Sequence, residues 1–460
     1  MMGLETVVDL AIHDVLRRLS PEDIARVACV SKKLRSLAFD DDSLWLTICI
    51  SELDLHQPLD HLGNPLPSFK ATYQAWREAF AMYPWSLVKR VKQCWDKLKT
   101  WLVNNFPEAE ATLCKGASEA EILELENVLE VKLPLPTRIL YRFHNGQEIA
   151  NGDLESDTFG SSLGLIGGYS FYSHLVNVYL LPLRQVILET QNLTRHLGFL
   201  RRSKYVLVAA SSTQNEKLFF LNCIDGQLYV GTRTFFTSED LIPCVPHNLI
   251  SLHGLNNEQQ QDAMLLWFEE HGRRLQQGFI KLHEEGNNRS INLFPEEPPL
   301  CSTAITNGVQ VRASALFVPE LSDLQDDLEK YLFAYSIRMS LHPEGCIING
   351  MSFSSCQLHW RHWIIRANDI VVSDVNGEAV IGMFPLLRPG AEEFVYQSCT
   401  YLPTSSGSVE GSFTFVPGSF VGKCLYLWDM PSGTTAIILS FVYPWMMWGY
   451  PPSKHLNSCI

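Results

Sequence analysis

Apolar positions recur every three to four residues through the first half of the chain and switch to alternation in its last third, predicting helices first and strands last. Over residues 9–19, Ile12, Val15, Leu16 and Leu19 fall at helical spacing. Ser20, Pro21, Glu22 and Asp23 then supply a helix start: a capping serine, a proline at the first helical position and acids in the first turn. The helix that follows carries Ile24, Val27, Val30, Leu34 and Leu37 on one stripe, and Asp42-Ser43-Leu44-Trp45 opens another. About 40 residues cannot bury that much apolar surface alone. The surplus either packs on the rest of the chain or meets a partner.

Residues 54–69 hold three prolines and little periodicity, and read as an ordered connector. Two helical stretches over 70–106 are split at Tyr83-Pro84; the second places Trp85, Val88, Val91, Trp95, Leu98, Leu102 and Phe106 on one face and Lys89, Arg90, Lys92, Lys97 and Lys99 on the other. Basic amphipathic helices can be calmodulin or membrane-surface targets. Here the long aromatic stripe and the globular stretch after it favour a core helix with solvated lysines. Ser118 and Glu121 form a capping box, Pro134 and Pro136 precede a second short helix, and Gly146 is placed to end it. Strand-like runs follow: NVYLLPL, KYVLVAAS, KLFFLNC and QLYVGT. Gly164, Gly167 and Gly168 lack a following GK[ST] and read as turn glycines. Residues 258–278 predict one amphipathic helix, and 283–299 read as a linker.

From Cys301 onward short β-rich runs alternate with turns, the signature of an antiparallel sandwich. Strict alternation over Gln357–Arg366 puts Leu358, Trp360, His362 and Ile364 on one face, so His359 and His362 point apart and do not make a metal pair.

The whole chain of 460 residues carries a net charge of −14, which repels phosphate backbones and argues against nucleic-acid binding. Twelve scattered cysteines without any CxxC fit reduced thiols inside the cell, and the early acid in Met1-Met2-Gly3-Leu4-Glu5 does not fit a signal peptide. The cytosol or nucleus is therefore expected. No GxSxG, HExxH or P-loop occurs, and acids such as Glu392 and Glu393 read as solvated. No catalytic residue, cofactor or metal is assigned.

Three family resemblances emerge from these segments. Residues 15–45, VLRRLSPEDIARVACVSKKLRSLAFDDDSLW, resemble an F-box, although Val7-Val8 replaces the usual leading Leu-Pro pair. That resemblance implies docking on the Skp-type adaptor of a Skp–cullin–F-box ubiquitin ligase, and with the stripe it assigns adaptor contacts to Leu16, Leu19, Pro21, Ile24, Val27, Val30, Leu34 and Trp45. The run SEAEILELENVLEVKLPLPTRILYRFHNGQE, with the later strands, resembles a SUKH domain over about 85–250 and implies an interaction module. The series VQVRAS, FAYSIRM, CQLHWRHWII, VNGEAVIG, FPLLRPG, EEFVYQSCT and LPTSSGSVEGSFTFV resembles an ApaG domain, a fibronectin-type-III-like sandwich. Where that family often has Gly-x-Gly-x-x-Gly, this chain has Gly377, Ala379 and Gly382, and a hairpin loop is the stronger reading.

The expected architecture is multidomain α+β: an F-box at 1–50, a connector at 51–84, a SUKH-like domain with a trailing helix at 85–282, a linker at 283–299, an all-β ApaG sandwich at 300–419 and a divergent apolar tail at 420–460. In that order the modules resemble plant F-box proteins of the Skp-interacting-partner type, substrate receptors that hold a target near a cullin-bound conjugating enzyme. A non-degradative scaffold and a ligand sensor acting through the ApaG module remain alternatives. The uncharged stretch 430–453 is short for a bilayer span and is broken by Pro444; it is expected to pack poorly, with a substitute strand at Ala436–Tyr443 as the other outcome.

Overall fold

The computed structural model describes residues 9–39, 41–148, 162–196, 204–211, 217–231, 241–252, 260–285, 288–323, 325–348, 350–418 and 433–442. It begins with α1 (Asp9–Leu16), α2 (Pro21–Ala28), α3 (Lys32–Phe39) and α4 (Asp42–Leu53). The Ser20 hydroxyl accepts the Asp23 N–H at 3.1 Å, so the predicted cap forms. Leu16, Ile24, Ala28, Leu34, Leu44 and Trp45 close a small core, and the Trp45 indole N–H donates to the Ala38 carbonyl at 2.9 Å. α4 continues three residues beyond position 50, into the expected connector.

Much of the surplus apolar surface turns inward. Asp42 accepts the backbone N–H of Phe69 at 2.8 Å, where α5 (Phe69–Ala79) begins. Trp45 packs on Tyr73 with ring centroids 5.5 Å apart. Glu52 accepts hydrogen bonds from the Trp85 indole at 2.8 Å and from Lys89 at 3.1 Å, both on α6 (Trp85–Asn105). The core is consequently continuous from the first helices into the centre of the molecule.

After α7 (Pro107–Glu110), the capping box of Ser118 and Glu121 opens α8 (Glu119–Leu129), and α9 (Leu135–Phe143) follows. α9 ends on His144 in an extended conformation and not, as expected, on Gly146; two residues on, Gly146 at φ +71° turns the chain where a Cβ would sit 2.4 Å from the Pro182 nitrogen. A sheet is then built from β1 (Gly167–Phe171), β2 (His174–Leu180), β3 (Tyr205–Ser211), β4 (Leu218–Asn222), β5 (Leu228–Gly231) and β6 (Ile242–Pro243), with α10 (Leu183–His196) between β2 and β3. α11 (Ala263–Gln276) packs on α6 and α9. Leu87, Val88, Val91, Trp95, Leu98 and Leu102 bury the apolar face of α6, and Arg90 forks onto Glu269 of α11 with two 2.7 Å bonds. α6 is a core helix.

Three expectations for this region need correction. Gly167 and Gly168 lie within β1 and not in a turn, because a Cβ on Gly168 would fall 1.7 Å from the Val176 carbonyl oxygen of β2. The helix expected over 258–278 starts later: the Asp262 carboxylate caps it by accepting the Leu265 N–H at 2.9 Å, while residues 253–259 lie outside the described set. The expected linker at 283–299 contains most of a hairpin, β7 (Lys281–Glu285) and β8 (Asn288–Asn292), whose β8 joins β1 in parallel. The sheet thus has eight strands in the order β6-β5-β4-β3-β2-β1-β8-β7. Polar hairpins of this kind mimic linkers in composition because one face stays in water.

The last third is a sandwich. One sheet has the order β17-β11-β10-β9, formed by β9 (Cys301–Thr306), β10 (Val309–Phe317), β11 (Tyr331–Leu341) and β17 (Phe394–Leu402). The other has the order β15-β14-β18-β19, from β14 (Cys356–Ala367), β15 (Ile370–Glu378), β18 (Ser406–Pro417) and β19 (Gly433–Val442), with β16 (Leu386–Leu387) on β14. A small hairpin, β12 (Cys346–Ile348) and β13 (Met351–Phe353), precedes them. Trp363 packs edge-on against Phe413 at 5.1 Å between the sheets. A bulge between Leu358 and Trp360 shifts the alternation of β14. Leu358, Trp363, Ile365 and Ala367 are buried while Trp360 is exposed, so the single face expected for Leu358, Trp360, His362 and Ile364 does not exist. Glu393 is not simply solvated either; it binds Arg312 at 2.6 Å. The apolar tail supplies β19, whose backbone pairs along β18 from Gly433↔Phe415 to Val442↔Ser406, so the alternative outcome, a strand near Ala436–Tyr443, is the one found. The remainder of 419–460 lies outside the described residues. Buried thiols throughout the molecule are driven up by burial, those of Cys49, Cys94 and Cys244 in the helix and sheet core and Cys356 in the sandwich to about 12.

Sheet and sandwich meet at a buried carboxylate. Glu320 accepts from the Tyr169 hydroxyl at 2.6 Å and lies 2.9 Å from His174 Nε2, with Lys217 Nζ at 3.6 Å. Burial alone would raise its pKa, but the Lys217 charge and the hydrogen bonds from His174 and Tyr169 outweigh it and hold the carboxyl below the ordinary glutamate value of 4.5. A depressed acid stabilises the fold above its unfolded pKa and loses that contribution as pH falls through the folded one. Glu320→Gln is expected to destabilise the chain by about 3 kcal/mol at neutral pH. The difference from wild type should shrink as pH falls below 4.5, as urea unfolding across pH will measure.

Candidate functional site

The proposed adaptor-contact residues divide into two groups. Leu16, Ile24, Leu34 and Trp45 are 1%, 0%, 5% and 4% exposed and hold the N-terminal helices together. Leu19, Pro21 and Val27 are half-buried, whereas Val30 is 70% exposed just beyond the end of α2. Val15, 58% exposed and absent from the candidate set, was already visible on the α1 stripe. The stripe could not separate these groups, because the one helix expected through Ile24–Leu37 is split into α2 and α3, and four helices around one core leave part of every apolar stripe outside.

The scaffold beneath this face is pinned by polar contacts. His13 Nδ1 lies 3.0 Å from Asp41, tying α1 to the start of α4. Partial burial raises the Asp41 pKa, yet hydrogen bonds from Ser43 and the charges of His13 and Arg17 leave it lowered. Lys33 on α3 pairs with Asp9 on α1 at 2.8 Å. Beside Leu19 and Pro21 opens a cleft of about 810 Å³, its far wall formed by Tyr73, Arg77, Met82 and Trp85. These groups can bury apolar surface and exchange ion pairs with a protein partner; none is arranged as a nucleophile with a base.

The other candidate, the loop at 376–382, is a tight turn. Val380 and Met383 exchange backbone hydrogen bonds at 3.0 and 2.8 Å, with Ile381 and Gly382 between them at φ +44° and +78°. Ala379 is 6% exposed at φ +63°, and its carbonyl accepts from Arg361 Nε at 3.1 Å. Its amide donates to the His359 carbonyl, so the backbone is engaged within the sandwich. His362 contacts Asp374 at 2.8 Å, and His144 and the buried His271 each contact a backbone carbonyl. Burial lowers the His271 pKa to about 4, keeping it neutral. Among the described residues, no three His, Cys, Asp or Glu side chains come together as a metal site.

Comparison with known proteins places these features. An F-box-like model matches residues 11–51, and an ApaG domain model matches 322–417. F-box protein SKIP16 of Arabidopsis thaliana is 58% identical over 420 residues, 91% of this chain and 94% of that protein. F-box only protein 3 of Homo sapiens is 26% identical over 425 residues, 87% of this chain and 76% of that one. A putative ApaA protein of Bordetella pertussis, known as a crystal structure, is 28% identical, covers 30% of this chain and 96% of its own, and has a TM-score of 0.24. The chain belongs to the F-box proteins that carry a C-terminal ApaG domain. Its F-box implies docking on a Skp-type adaptor and, through it, a cullin. Among the described residues, no helix is long and apolar enough to cross a membrane.

Because Val30 is exposed, Val30→Asp should leave the melting temperature within about 2 °C of wild type yet abolish adaptor co-purification, since docking would desolvate the new carboxylate at a cost of several kcal/mol. Ile24→Asp, in the core, should instead unfold the N-terminal helices, as circular dichroism will show. Calorimetry is expected to find no saturable ATP or GTP binding tighter than about 100 μM at the 376–382 turn.

Proposed function

We propose that this chain is the substrate receptor of a Skp–cullin–F-box ubiquitin ligase, acting in the cytosol or nucleus and directing its target to proteasomal degradation. The adaptor docks on Leu19, Pro21, Val27 and Val30, with Leu16, Ile24, Leu34 and Trp45 holding that face in shape. A module beyond the F-box, either the SUKH-like region over about 85–250 or the ApaG sandwich, holds the target. The chain contributes no catalytic group. It raises the local concentration of target lysines near the conjugating enzyme, so its contribution is proximity and orientation.

The observation that carries this reading is the N-terminal face itself: apolar side chains stay in water at Val15 and Val30 although the helices beneath have a complete core. The core then runs without a break into the central sheet, so a target held there keeps a defined position relative to the adaptor.

The test is co-purification of cullin with the full-length chain, paired with a proteome-wide comparison of protein half-lives in cells carrying wild type or Val30→Asp. Cullin should accompany wild type alone, and a small set of proteins should be stabilised when docking is lost. Adaptor without cullin would instead identify a scaffold outside ubiquitin transfer.

A further inference from the structure

β15 is the open edge of its sheet: its one partner among the described residues is β14. An unpaired edge presents backbone N–H and C=O groups ready to bind another strand, and soluble proteins usually guard such edges with lysine, proline or a covering element. β15 reads Ile370-Val371-Val372-Ser373-Asp374-Val375-Asn376-Gly377-Glu378, without lysine or proline. One bulge near Val372 interrupts the register, and pairing is regular from Ser373 to Glu378.

The two rows of side chains on this strand differ in chemistry. Residues opposite one another across an antiparallel pair share a face. Ile370 and Val375 stand opposite Ala367 and Trp363, which are buried in the sandwich, so they lie on the inner face. Yet they are 70% and 36% exposed. The outer row carries Val371, Asn376 and two exposed acids, Asp374, which contacts His362 of β14 at 2.8 Å, and Glu378. The inner row therefore lacks apolar cover, and the outer row carries acid.

We propose that β15 is the strand on which the sandwich captures its target, by adding an extended segment whose apolar residues cover Ile370 and Val375 and whose alternate basic residues face Asp374 and Glu378. This rests on the receptor reading above and deepens it by naming the surface and the segment. The six regular residues Ser373–Glu378 span about 20 Å and carry Asp374, Val375 and Glu378; a segment of eight or nine residues, about 30 Å, also passes the bulge to reach Ile370. Backbone hydrogen bonds supply affinity that does not depend on sequence, while the two rows select an alternating apolar and basic pattern.

The test uses the full chain and a fluorescent octapeptide of alternating valine and lysine, with a control in which the same residues are grouped in blocks. Anisotropy should show saturable binding of the alternating peptide, about tenfold tighter than the block peptide. The double variants Ile370→Lys with Val375→Lys, and Asp374→Lys with Glu378→Lys, should each weaken it about tenfold or more. All four side chains are exposed, so melting temperatures should match wild type and separate lost binding from lost folding. Equal binding of the two peptides, or unchanged binding in both variants, overturns the proposal. Sedimentation on the same samples would overturn it too by showing a dimer that the Ile370→Lys, Val375→Lys double variant dissociates, since the occupant would then be a second copy. Adaptor co-purification should persist in every β15 variant. Its absence from wild type would refute the receptor reading, whereas failed peptide binding with adaptor retained would refute this assignment alone.

Discussion

The arrangement of the molecule hangs on one buried charge. A carboxylate brought out of water costs several kcal/mol unless it is paired, and Glu320 finds its partners, two hydrogen bonds on Oε1 and the Lys217 charge 3.6 Å from Oε2, only when the sandwich sits against the central sheet. Tyr169, His174 and Lys217 all come from the sheet, while Glu320 comes from the segment after β10. Separating the two bodies would strand a carboxylate on one side and a lysine on the other. Such an interface discriminates strongly between docked and undocked states, which apolar contact alone does not. A second tie, the Tyr172 hydroxyl to Ser398 at 2.8 Å, fixes the rotation about the first.

At the other end the coupling is apolar. Trp45, Tyr73, Trp85 and Trp95 link the first helices to α6, and α6 is clamped to α11 by the Arg90–Glu269 fork. The segments least regular in composition, 54–69 and 283–299, are held in place: Trp76 donates its indole N–H to Leu59 at 3.0 Å, and Lys281 reaches Glu296 at 3.1 Å. The chain is modular in ancestry and continuous in packing.

What the sequence made legible follows from the range of the interactions involved. The Ser20 cap, the Ser118–Glu121 box and the apolar stripe of α6 are local, and they appear where the spacing placed them. The misreadings share a different origin. Gly168 looked like a turn because the carbonyl it accommodates belongs to another strand; β8 looked like a linker because its hairpin with β7 is polar and its other partner, β1, is over a hundred residues away in sequence. The phase of β14 was lost to one inserted residue, and period-two reasoning cannot survive a bulge. For the candidate site the limit was similar. The stripe identified the helices, but whether Val30 or Leu34 faces water depends on which neighbour arrives in three dimensions.

The burial that unites these modules has a further consequence, for chemistry with oxidants. A thiol reacts as its thiolate, and a pKa of about 12 leaves roughly one molecule in a hundred thousand ionised at neutral pH. Cys49, Cys94, Cys244 and Cys356 are therefore almost inert to peroxide and to electrophiles while the fold is intact. Cys29 is the exposed cysteine among the described residues, and it sits next to Val30. Oxidation thus reaches the exposed end of α2, part of the proposed docking face, before it reaches the core, and can alter that surface while the molecule stays folded.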